Sequence, residues 1–190
     1  MMSTREMREK IIQFHYTHSM PSGHSWLYSL DVAIIVFSIP PNANISTFLI
    51  AEPNKVLELS RLWAPDGHER NLLTKAISFA VSRLRQDAPT YEALVSYADP
   101  NVGHAGYIYR AASWIDLGAS DESRNYRGPA GEVVARRKFH SGGRHLNKAE
   151  ILALGYVEHR MPGKLRFAKG LTKKARARIA KLKATGERHG

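Results

Sequence analysis

Near the start of the chain, His15 and Tyr16 place a titratable imidazole beside an aromatic surface that carries a hydroxyl. The pair suits holding a planar base or a metal, and equally suits a hydrogen-bonded place in ordinary packing. A second group gathers around the run Ser96-Tyr97-Ala98-Asp99. Asp99 ends a strand-like segment, where α/β folds commonly expose functional side chains. Followed by Pro100-Asn101, it also reads as a turn closure, because Asp and Asn bond to nearby backbone. Ser96, a candidate catalytic hydroxyl, and Tyr97, a candidate substrate contact, point to opposite faces of a regular strand, so only one of them meets a pocket. Tyr107, Tyr109 and Arg110 follow in a segment that should open a short helix beside the same place; core burial of one ring is the competing role. Arg61 offers a fixed fork of donors for a phosphate or a carbonyl, or for a salt bridge at a strand end. His18 and His24 lie close in sequence to His15, but their spacing matches no zinc or iron pattern. The expectation is therefore no metal, with a site of His15, Tyr16 and Asp99, iron included, kept as an option. The chain has no cysteine, which removes thiolate nucleophiles, thiolate metal sites and disulfides together.

These residues need elements to position them. Met7, Ile11, Ile12 and Phe14 recur at helical spacing and predict a helix from Arg5 to Phe14 that delivers His15-Tyr16 into a loop. Short β-branched and aromatic runs predict strands from Leu30 to Pro40, from Ile45 to Ile50 and from Val56 to Ala64. Between Asn71 and Arg85 the apolar residues line one broad face, predicting a long helix. A strand over Tyr91–Asp99, a short helix within Gly103–Ser113 and a strand at Trp114–Gly118 complete a β-α-β-α-β middle. Parallel β-α-β units need helices laid over a sheet, so the expected fold is α/β (α+β), with a mixed central sheet flanked by helices. Trp63 and Trp114 read as core, or as a stacking wall.

Charge adds a partner class. The 190 residues carry 28 Lys and Arg against 17 Asp and Glu, a net charge of +11, which draws the protein to polyanions. Residues 160–190 hold eleven of the cations and one acid, Glu187. We therefore divide the chain into a core at 1–134 and a basic C-terminal extension at 135–190. Nucleic acid is the expected partner, with Arg136, Arg137, Lys138, Lys164, Arg166, Lys173, Lys174 and Arg176 as phosphate contacts. A solvated tail is the alternative. The Val32–Ile39 run is about half a membrane span, and the first turns are charged rather than apolar. A cytoplasmic protein without a membrane segment is expected; the oligomeric state is open.

The stretch LSRLWAPDGHERNLLTKAISFAVSRLRQ, followed by LVSYADPNVGHAGYIYRAASWIDLG, resembles the core of the Mom family of phage adenine-modification proteins. The likeness lies in the order of its parts: an RL…P strand, a long helix, a SYAD strand end, a glycine-rich turn, IYRA and a strand ending in Gly. His15-Tyr16 is similar to an HY element near the start of the family domain, and GPAGEVV at 128–134 adds a further patch. The resemblance implies a GNAT-like acyltransferase fold and conversion of the N6 amine of adenine in DNA to a carbamoylmethylated form, shielding phage DNA from restriction nucleases.

It also implies roles for residues. Asp99 becomes general base or amine-orienting group, and Tyr109 becomes general acid, by analogy with the tyrosine that GNAT enzymes place near there. The adenine would be flipped out of the duplex and held between aromatic groups. The donor is unknown. Acetyl-CoA is the GNAT donor, yet the glycine-rich diphosphate turn is absent: that position reads APDGHERN, leaving Asp66, Gly67 and Asn71 as candidate cofactor contacts. An aminoacyl group carried on RNA is a further option. Two alternatives remain: another GNAT-type transferase acting on an amine of a hypermodified base, polyamine or protein, and a non-catalytic basic nucleic-acid-binding protein.

Overall fold

The protein is described by a computed structural model covering residues 2–140 and 145–187, with Arg137 described by its backbone alone. Helix α1 (Thr4–Phe14) starts where the Ser3 hydroxyl accepts from the Glu6 N–H, and it buries Met7 and Ile11. A hairpin follows: β1 (Ser25–Leu30) pairs antiparallel with β2 (Ala33–Ser38) across a two-residue turn, Asp31-Val32. The apolar run read as one strand from Leu30 is therefore broken. Asp31 adopts φ 51°, a left-handed conformation that Asp tolerates in tight turns. Residues 45–50, read as a strand, instead belong to helix α2 (Asn44–Ile50). Ile45 and Leu49, one turn apart, bury with Ile50 against the C-terminal helix, and that packing overrides their β preference.

The middle of the chain forms as expected: β3 (Val56–Trp63), α3 (Leu72–Asp87), β4 (Ala93–Ala98), α4 (Tyr107–Ala111) and β5 (Ile115–Ala119). Next come β6 (Ser123–Arg127), β7 (Val133–Ala135), α5 (Lys148–Ala153), β8 (Val157–Met161), β9 (Leu165–Gly170) and α6 (Lys173–Thr185). Six strands make a mixed central sheet in the order β1-β2-β3-β4-β9-β5, and β7-β6-β8 make a small antiparallel sheet beside it. The β3–β4 pair is parallel.

Helices cover both faces of the large sheet. On one, α3 and α4 bury Leu57, Leu59, Ala76, Leu84, Leu94, Tyr109 and Phe167. On the other lie two separate apolar clusters, one under α1 with Ile34 and Val36, the other under α2 and α6 with Val56, Val95 and Ala168.

The sheet does not stop at residue 134. β9 pairs antiparallel with both β4 and β5, and Phe167 at its centre is fully buried, worth about 1.5–3 kcal/mol. Gly106, at φ 73°, lets the start of α4 close down on the Phe167 ring; a Cβ there would strike it. From the extension, residues 165–185 are thus structural members of the central sheet and its covering helix.

Candidate functional site

Strands β3 and β4 run together only through Val56↔Ala93, Leu57↔Leu94 and Glu58↔Val95, and then part. Two features sit at the parting. On β3, the pairing jumps from Phe37↔Leu59 to Val36↔Arg61, leaving Ser60 as an extra residue. That bulge puts Arg61 on the same face as Glu58, where regular alternation would have opposed them. On β4, the buried Ser96 hydroxyl donates to the Leu59 carbonyl at 2.8 Å, so the Tyr109 hydroxyl, also 2.8 Å away, donates to Ser96. Tyr109 stacks on Phe167 at 5.1 Å, and burial pushes its hydroxyl up to about 12 against the pull of Ser96. This pair lies in the α3–α4 core and braces the parted strands, with Tyr109 within electrostatic reach of Tyr16; Tyr97 faces the opposite side.

An open cleft of about 1000 Å³ lies between α1, the start of the 65–71 turn and the 99–104 loop. His15, Tyr16 and His104 line it, with Phe14 stacked on Trp63 at 5.4 Å as another wall. The His15 ring lies 4.5 Å from Tyr16, and the half-exposed Tyr16 meets His104 edge-on at 5.3 Å. Burial, reinforced by repulsion from Arg61, His104 and His18, lowers the His15 pKa to about 4. His15 is therefore neutral near pH 7, with Nδ1 facing the Thr17 N–H and hydroxyl at 3.2 and 2.9 Å. Arg61 donates to the Ser19 carbonyl at 2.9 Å and the Ser60 carbonyl at 2.6 Å, pinning the loop after Tyr16 to β3.

The 99–104 loop is built by Asp99. One carboxylate oxygen accepts from the Asn101 N–H at 3.0 Å and its side-chain amide at 2.9 Å; the other meets Lys164 at 2.9 Å. Burial alone would raise the Asp99 pKa, but these donors outweigh it and hold it below the usual carboxylate value. Asp99 thus closes a turn: the His104 N–H bonds back to the Asp99 carbonyl at 3.0 Å, and His104 meets Tyr16.

Two functional candidates were missed. His104 follows a Gly-ended turn whose direction sequence does not give. Glu58 sits in VLELSRLW, where an acid between buried leucines was the available signal. Burial raises its pKa to about 7, only partly offset by attraction to Arg61 and Lys164.

One comparison decides the family. The Mom protein family model matches residues 1–185. This chain belongs to the Mom protein family. The protein named methylcarbamoylase mom, from Escherichia phage Mu, is 30% identical over 87 residues, 46% of this chain and 36% of that protein. The chain thus spans about a third of that relative's length.

Other expected site residues of this Mom family protein fall into several places. Arg110 is held by Asp116 at 2.6 Å and the Ala105 carbonyl at 2.8 Å, with its guanidinium over Tyr107 and Phe167; Tyr107 itself is 77% exposed. Trp114 is core. Arg166 is a correction: at 4% exposure, under Phe48 and beside Tyr97, it is a buried residue of β9 and not a surface phosphate contact. Lys164 serves Asp99, and Lys174 pairs with Glu52 at 2.6 Å. Arg136, Lys138, Lys173 and Arg176 are exposed, while the Arg137 side chain lies outside the described set.

Asp66 and Gly67 line the cleft, and Gly67 makes a tight turn at φ 75°. Asn71, however, is left-handed at φ 66° and does not cap α3 with its side chain, and Glu69 adds a carboxylate paired with Lys75. One glycine and a carboxylate do not fit the diphosphate of CoA. In the His15, Tyr16 and Asp99 set, both Asp99 oxygens already have partners in Asn101 and Lys164. Among the described residues no group of three or more His, Asp or Glu side chains is placed to hold a metal, and no helix is long and apolar enough to cross a membrane.

Proposed function

We propose that this protein is a DNA-modifying transferase that alters the N6 amine of adenine, by carbamoylmethylation in the manner of a Mom enzyme, and so protects phage DNA from restriction. The observation that carries the reading is the Tyr16, His15 and His104 cluster opening into the cleft, on a chain whose family match runs from residue 1 to 185. A flipped base is held by aromatic faces and by hydrogen bonds to its polar edge. Tyr16 and His104 supply the faces, and neutral His15 supplies an uncharged polar edge. The cost of extruding the base, a few kcal/mol, is offset by stacking and by phosphate contacts of the exposed cations.

In this reading the amine-orienting duty fits Asp99 better than the base duty, since its lone pairs are already held by donors that keep its pKa low. Ser96 and Tyr109 act by fixing the parted strands. The mixed sheet with helices on both faces supports a GNAT-like classification. The test is nucleoside mass spectrometry of DNA from cells expressing the chain. A mass increase on deoxyadenosine is expected; unaltered deoxyadenosine in cells containing folded protein rejects the reading.

A further inference from the structure

The sheet face under α1, α2 and α6 is not uniformly apolar. Between its two separate clusters runs a polar strip: Ser38 on β2, Glu58 and Arg61 on β3, Tyr97 on β4 and Arg166 on β9. Register puts these side chains on one face. Ser38 is opposite Glu58, Tyr97 is opposite Arg166, and the Ser60 bulge brings Arg61 into line. The same face of β3 continues to Trp63, which lines the cleft, and Arg61 between them lies within electrostatic reach of both Glu58 and the cleft residue Tyr16. Glu58 lies where β3 and β4 begin to part and keeps some contact with solvent. Among the described residues, nothing hydrogen-bonds or ion-pairs to its carboxylate. A largely buried carboxylate without a partner is costly to a fold that has no use for it.

Resting on the proposed function, we infer that Glu58 is the catalytic base that takes the proton from the adenine N6 amine. The step balances as follows. N6 forms a bond to the methylene carbon of an activated carbamoylmethyl donor, in which that carbon carries an oxygen or sulfur leaving group. The bond from that carbon to its oxygen or sulfur breaks with its electron pair on the leaving atom, and one N6 proton passes to the Glu58 carboxylate.

The titratable and charged groups around Glu58 are Arg61, Tyr97, Lys164 and Arg166 on its own face and Tyr109 from the other; α2, NISTFLI, brings none. Burial holds the Glu58 pKa at about 7, where a base is both substantially ionised and able to receive a proton. Asp99 lacks that poise.

The experiment compares parent, Glu58→Gln and Glu58→Asp in cells, measuring modified deoxyadenosine at a fixed early time after induction. Binding to a DNA duplex and cooperative unfolding are followed for each purified protein. Loss of about 100-fold or more in modification by Glu58→Gln, with duplex affinity unchanged, is expected, since general base catalysis supplies ~10²–10⁴-fold. Glu58→Asp should retain partial activity. Modification by Glu58→Gln within about threefold of the parent overturns the assignment while leaving the proposed function standing. A parent that leaves deoxyadenosine unaltered overturns both. Should Glu58→Gln not fold, the parent's rate against pH, with clarified lysate as donor source, decides: an inflection near 7 supports Glu58 and a flat profile refutes it.

Discussion

Replacing Glu58 by Gln should change not only chemistry but the dependence of stability on pH, and the sign is unusual for a carboxylate. In the folded protein Glu58 titrates at about 7 against a reference value of 4.5, because burial disfavours its charge more than Arg61 and Lys164 favour it. Between those two values the unfolded chain has released the proton and the folded chain still holds it, so stability falls as pH rises through the window. At 1.36 kcal/mol per pH unit the full effect is about 3 kcal/mol, reached above pH 7 and absent below 4.5. Gln has nearly the same shape and no charge, so it removes the effect. Urea unfolding of parent and Glu58→Gln at half-unit steps from pH 4.5 to 8 measures it. The variant should gain up to about 3 kcal/mol on the parent across the window and keep that margin above it. Parallel curves would show that the Glu58 carboxylate is not buried as described, and the argument for its poise would go with them.

Three other outcomes follow from the geometry. Ser96→Ala leaves the Tyr109 hydroxyl and the Leu59 carbonyl without their shared partner and should destabilise the protein by about 1–3 kcal/mol in urea unfolding. Asp99→Ala frees the 99–104 loop from Asn101 and Lys164, and it should abolish adenine modification by mass spectrometry with duplex affinity largely unchanged. Lys173→Gln with Arg176→Gln, two exposed cations of α6, should weaken duplex binding and lower the slope of log affinity against log salt by about 1.8, at roughly 0.9 for each lost phosphate contact.

The last of these replaces a truncation after Arg160 that the charge pattern alone would recommend. Removing β9 takes a central strand out of the sheet, so loss of DNA binding would report only unfolding. LRFAKG, a central strand buried on both faces yet carrying two cations, reads as basic tail because charge density is visible along the chain and strand pairing is not. The elements whose apolar spacing was long and regular, α1 and α3, were legible, as was the β-α-β-α-β middle. Short apolar runs were not. LDVAIIVF hid a hairpin turn at Asp31, and ISTFLI became a helix because α6, 130 residues away counted from Phe48 to Arg178, covers it. In the site, the His15-Tyr16 pair was legible by residue type and the Asp99 turn by its Pro-Asn sequel. Glu58 was not, because its meaning depends on a bulge that turns Arg61 to its side and on two clusters that leave a polar gap between them.

Lys164 joins these observations. It lies just before β9, in the segment expected to grip DNA, yet its ammonium is 2.9 Å from Asp99 and near enough to Glu58 to oppose the rise in that group's pKa. One cation therefore serves two carboxylates with opposite results: Asp99, hydrogen-bonded and ion-paired, stays ionised, while Glu58, buried and unpaired, is driven toward neutrality. Environments that push two carboxyl groups apart in this way commonly divide the labour of a site between a fixed charge and a proton carrier. By that logic Asp99 holds the loop and orients the amine, and Glu58 exchanges the proton. Both proposed roles depend on β9 being inserted beside β4, so under the proposed function the basic C-terminal segment acts on the chemistry through the sheet as well as on duplex affinity through its exposed face.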